Sequence, residues 1–82
     1  MKVQAEISLY PLRQKDLTEP IQQFIESLKS NNLDVESGTM SSVISGDSKI
    51  VFQSLQKAFE QAAQKYELIL TAKISNACPV IE

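Results

Sequence analysis

From Val3 to Leu9 apolar and polar residues alternate without interruption. Val3, Ala5, Ile7 and Leu9 fall on one side, Gln4, Glu6, Ser8 and Tyr10 on the other. This is the period of a half-buried strand. Pro11 cannot donate to a ladder and is expected to end the strand. A polar RQKD loop then leads to Thr18, the expected N-cap of a helix whose first turn holds Glu19 and Pro20. Ile21, Phe24, Ile25 and Leu28 recur at i, i+3, i+4 and i+7, which gives the helix one apolar stripe, and the Ser30-Asn31-Asn32 cluster supplies its stop.

The stretch LDVESGTMSSVISG holds two short runs, about Asp34 to Ser37 and Ser41 to Ser45, joined by a Gly-containing connection that reads as a hairpin. After Gly46, either Asp47 or Ser48 can cap a second helix, with Val51, Leu55, Ala58, Phe59, Ala62 and Tyr66 on one face. Alternation returns from Glu67 to Ser75. Leu68, Leu70, Ala72 and Ile74 are expected on its buried side, and Ile69, Thr71, Lys73 and Ser75 point the other way. Pro79 fits the end of pairing.

The predicted order is βαββαβ. Two right-handed crossovers with both helices on one face of a four-stranded antiparallel sheet give the ferredoxin-like α+β arrangement. The other sheet face then stays bare. It carries Gln4, Glu6, Ser8, Tyr10, Ile69, Thr71, Lys73 and Ser75, neither fully polar nor core-like, and part of it is expected to be covered by a second copy.

With 82 residues the chain is expected to be one domain, 1–82, that buries roughly 60% of its unfolded surface and folds without staples. Eight basic residues against ten acidic ones leave a net charge of -2 and no basic stripe, so nucleic acid is not an expected partner. A single Cys cannot form an internal disulfide, the opening MKVQAEISLY has no signal-peptide core, and no apolar run reaches membrane-spanning length. The expectation is a cytoplasmic protein that does not engage a membrane.

The candidate chemistry is narrow. The chain has no His, which removes the usual Ser-His and Cys-His nucleophile pairs. Cys78 lacks a neighbouring cation in sequence and reads as a small hydrophobe at a strand end. Asp34 and Glu36 alternate as solvated charges do, so no metal is expected. Copper-carrying relatives of this fold place C-x-x-C in the first loop, where this chain has PLRQKDLTEP. RNA-recognition modules need aromatics on both central strands, and SSVIS has none. An acylphosphatase-like loop would wrap an anion around an Arg. Arg13 is present, but the loop has no Gly and is acidic at Asp16 and Glu19. Ser8 and Tyr10 offer hydroxyls to a ligand or simply close the strand. Glu6 and Lys73 can pair across neighbouring strands. Phe52, off the main stripe of its helix, reads as a flank of the core or as an oligomer contact.

Three segments, ISLYPL at Ile7 to Leu12, SGTMSSVISGD at Ser37 to Asp47 and ISNACP at Ile74 to Pro79, resemble the small thiamine-binding-protein-like family. Their spacing covers nearly the whole chain. The resemblance implies a ferredoxin-like domain that in some members binds thiamine or its hydroxymethylpyrimidine precursor. It also implies association into homodimers or homotetramers through the sheets, with no established enzymatic activity; no cofactor is expected. Carried over position by position, it implicates Ser8 and Tyr10 in the first strand, Thr39, Met40, Ser41 and Ser42 around the hairpin, and Asn76 in the last segment. A cationic thiazolium favours a carboxylate or an aromatic face, for which Glu6 and Tyr10 are candidates. A neutral pyrimidine needs only a slot with a few donors and acceptors. The alternative is an oligomeric structural or regulatory module with no ligand.

Overall fold

The computed structural model describes residues 1–38 and 41–77. The elements follow in the order β1 (Lys2–Leu12), α1 (Thr18–Lys29), β2 (Asp34–Ser37), β3 (Ser42–Asp47), α2 (Ser48–Ala63) and β4 (Glu67–Ser75). All four strands pair antiparallel in the order β2-β3-β1-β4, so β1 and β3 are central. The apolar side of the alternation meets both helices in one core. Val3, Ala5 and Ile7 of β1 and Ile44 of β3 pack with Phe24 and Leu28 of α1 and with Val51, Leu55 and Ala58 of α2. This is the ferredoxin-like fold that the pattern predicts.

The helix ends differ in detail from the sequence reading. Thr18 is the first residue of α1 rather than its cap, and the Asp16 carboxylate two positions earlier accepts from the Thr18 amide at 2.9 Å. At the other end the polar cluster acts as expected. Ser30 Oγ donates to the Ser27 carbonyl at 2.8 Å and Asn31 Nδ2 to the same oxygen at 3.1 Å, which satisfies a carbonyl left open by the helix end. Asp47 is the cap of α2, accepting from the Lys49 amide at 3.1 Å. It also accepts from the N-terminal ammonium at 3.2 Å. That bond first, and the Lys49 amide second, hold its carboxyl below the ordinary value of 3.8.

Three strand readings need correction. Pro11 lies inside β1, buried and opposite Leu68, rather than ending the strand. It is tolerated because β1 has no β3 partner there and is locally an edge. β3 runs on through Gly46 to Asp47, where it pairs with Lys2. Gly46 is a point of close approach: a Cβ there would sit 2.6 Å from Leu33 Cδ2. In β4, Leu68 and Leu70 are half-buried as expected, but Ala72 and Ile74 on the same side are exposed, Ile74 to 38%. β4 is an edge strand, and α2 covers only its first half. Tyr66 falls beyond the end of α2, and its hydroxyl donates to Glu19 Oε1 at 3.4 Å. Partial burial, then the Glu19 charge, raises its pKa. Cys78 and Pro79 lie outside the described residues.

Two measurements test this account. Ile44 is fully buried on a central strand, so Ile44→Ala should lose about 2–5 kcal/mol in urea unfolding. Phe52→Ala, at a side chain 55% exposed, should lose about 1 kcal/mol or less. Equal losses would show that the core is elsewhere. A carboxyl held below its unfolded value adds stability above that value and gives it up as pH falls through the folded one. Melting temperature should therefore drop more steeply below about pH 4 in the parent than in Asp47→Asn, which keeps the cap but not the charge. Parallel acid limbs would show that the Asp47 charge adds nothing.

Candidate functional site

β1 is paired on both sides only as far as Ile7. Its register with β3 runs from Lys2 opposite Asp47 to Ile7 opposite Ser42 and stops there. Its register with β4 continues from Ser8 opposite Thr71 to Leu12 opposite Glu67. Five residues of β1 thus extend past the end of β3. The β2–β3 connection, closed by the Gly38 amide donating to the Ser41 carbonyl at 2.8 Å, turns at this same level.

The gap holds a cavity of about 110 Å³. Its apolar walls are Ile7 and Leu9 of β1 with Ile21, Phe24 and Ile25 of α1, and its polar rim is Ser8 with Gly38, Ser41 and Ser42 of the hairpin. Ser8 belongs by alternation to the opposite sheet face, yet it too lines the cavity, in the part of β1 that β3 does not flank. Ser41 Oγ donates to Glu6 Oε2 at 3.2 Å, which fixes the hairpin against β1. At Gly38 the hairpin backbone comes close, since a Cβ there would stand 3.0 Å from the Ser41 carbonyl oxygen.

Among the described residues, no charged side chain lines this cavity. Its groups are hydroxyls, backbone amides and carbonyls, and branched or aromatic walls. That set suits a flat uncharged ring with a few donors and acceptors on its rim. Among the described residues no cluster of three or more metal-ligating side chains occurs.

Of the residues singled out in sequence, Ser8, Ser41 and Ser42 come together here. Thr39 and Met40 lie outside the described residues. The structure does not bring Tyr10 or Asn76 to the cavity. Tyr10 is on the bare sheet face, 51% exposed and opposite Ile69, itself 49% exposed. Asn76 follows Ser75, which pairs with Gln4, so it lies about 15 Å along β1 from Ser8. Lys73 does stand opposite Glu6, but the ion pairs among the described residues are Met1 with Asp47 and Arg13 with Glu67. Arg13, the anion anchor weighed for the first loop, is therefore engaged by a carboxylate. Sequence reasoning missed Ile21, Phe24, Ile25 and Gly38 as walls of the cavity. The available signal was an apolar stripe on α1 that continues to Ile21 and Ile25, which the core leaves partly open.

The fold is shared with several solved structures. A hypothetical protein from Methanocaldococcus jannascii matches with a TM-score of 0.86 at 25% identity, over 94% of this chain and 81% of that one. A protein from Streptococcus pneumoniae matches with a TM-score of 0.87 at 24% identity, over 95% and 89%. A Thermotoga maritima protein described as a "putative thiamine biosynthesis/salvage protein" matches with a TM-score of 0.84 at 21% identity, over 92% and 83%. No curated protein matches the chain. The sequence model of the YKOF-related Family matches residues 2–80, so nearly every position discussed above falls within the match, and the chain belongs to that family.

Proposed function

We propose that this protein is a non-catalytic binder of a small heterocycle, thiamine or its hydroxymethylpyrimidine precursor, and that the cavity between β1, the β2–β3 hairpin and α1 is where the pyrimidine sits. The observation that carries the reading is the cavity itself, lined by apolar walls and rimmed by Ser8, Ser41 and Ser42, with no charged side chain among its described lining residues. An aminopyrimidine ring is flat, neutral near pH 7 and bordered by donors and acceptors that such a rim can meet. The description of the Thermotoga maritima relative supports the choice of ligand class. The absence of His from the chain supports binding rather than acid–base chemistry.

A second reading, an interaction module that works through self-association, is favoured by one observation. Tyr10 and Ile69 form an exposed apolar cross-strand pair between β1 and the edge strand β4 on the uncovered sheet face. The two readings are compatible, since the cavity opens at the β1 edge on the helix side of the sheet. In this account the protein is a homodimer or homotetramer built through that face.

Calorimetric titration with hydroxymethylpyrimidine and with thiamine should give a dissociation constant below about 1 mM for at least one of them. Ser42→Leu should fill the cavity and abolish binding without lowering the melting temperature, and Ser41→Ala should weaken it. If neither compound binds, the ligand reading fails. In sedimentation, Ile69→Lys should convert an oligomeric parent to monomer. A parent that is already monomeric at all concentrations would remove the interaction reading.

A further inference from the structure

The cavity is too small for any ligand larger than one ring, since sites that engulf whole ligands run to about 300–1,000 Å³. A second, open depression of about 450 Å³ adjoins it on the flank of α1 that faces away from α2. The two share Ile21 and Ile25 as a common wall. Leu17 and Ser37 line the groove near the hairpin, and Glu26 and Lys29 line it farther along the helix. Glu26 and Lys29 take part in neither ion pair found among the described residues, so both charges are available to a ligand. From Ile21 to Lys29 the helix advances about 12 Å.

Read outward from the cavity, the chemistry changes in a fixed order. The uncharged hydroxyl rim comes first, then the isoleucine wall, then a carboxylate, and one turn later an ammonium. We propose that cavity and groove form a single binding site for an elongated ligand: a neutral ring in the cavity, a cationic ring over Ile21 and Ile25 beside Glu26, and an anionic terminus at Lys29. This rests on the reading of the cavity as the pyrimidine site and deepens it. It selects a phosphate ester of thiamine over thiamine, and thiamine over the isolated pyrimidine. The carboxylate stabilises the cation and the ammonium stabilises the phosphate, while the reverse order of charges would place like against like.

The test is calorimetric titration of the whole protein with hydroxymethylpyrimidine, thiamine and thiamine monophosphate, repeated on Glu26→Gln and Lys29→Gln. The expected order of affinity is monophosphate, then thiamine, then pyrimidine. Glu26→Gln should weaken thiamine by about threefold, as expected for an exposed charge contact, and leave the pyrimidine unchanged. Lys29→Gln should erase the advantage of the monophosphate over thiamine while leaving thiamine unchanged. The pyrimidine affinity reports that each variant is folded. If the pyrimidine binds as tightly as the two larger compounds, or if the charge variants leave all ratios unchanged, the extended site is wrong and the cavity reading stands. If none of the three binds, both fall together.

Discussion

The unequal lengths of β1 and β3 are the constraint from which the candidate site follows. β1 runs eleven residues and β3 six, and they pair only from Lys2 to Ile7. The ladder with β4 holds the remaining part of β1 in place. Without that ladder the five extra residues would be a loop, and no rigid edge would face α1. With it, the strand continues past the hairpin as a wall that has one neighbour in the sheet. The stretch tolerates Pro11 for the same reason that it leaves room for a cavity: among the described residues, nothing pairs with it on the β3 side.

The same mismatch explains how much the sequence could reveal. Alternation over Val3 to Leu9 and over Glu67 to Ser75 is a local property, so the strands and their faces were legible. The stripes of both helices were legible for the same reason. The place of Pro11 inside the strand depends on whether a neighbouring strand reaches it, and the close approach at Gly46 comes from Leu33 in a different segment. Neither fact is local. Ala72 and Ile74 were assigned the correct face but the wrong burial, since alternation tells which side a residue points to and not what covers that side. The cavity sits at the limit of this logic. Its serines were singled out by resemblance, whereas Ile21, Phe24 and Ile25 have the spacing of core residues and nothing in that spacing separates a packed wall from an open one.

The two faces of the sheet carry different kinds of work. On the helix side, burial of Val3, Ala5, Ile7 and Ile44 against α1 and α2 holds the fold, and the cavity lies at the margin of that core where packing runs out. Its walls are therefore positioned by the core itself, which gives a rigid slot without long loops. On the other side the sheet presents a mixed surface that carries the exposed pair Tyr10 and Ile69 between β1 and β4.

The central claim is that the unflanked end of β1 is where this protein meets its ligand. The direct measurement is amide chemical-shift mapping by NMR as hydroxymethylpyrimidine is added. The account predicts that the largest changes cluster at Ser8, Leu9, Ile25, Gly38, Ser41 and Ser42, with the amides of Thr71, Lys73 and Asn76 little affected. Changes centred on Tyr10, Ile69 and Thr71, or spread evenly over the sheet, would contradict it.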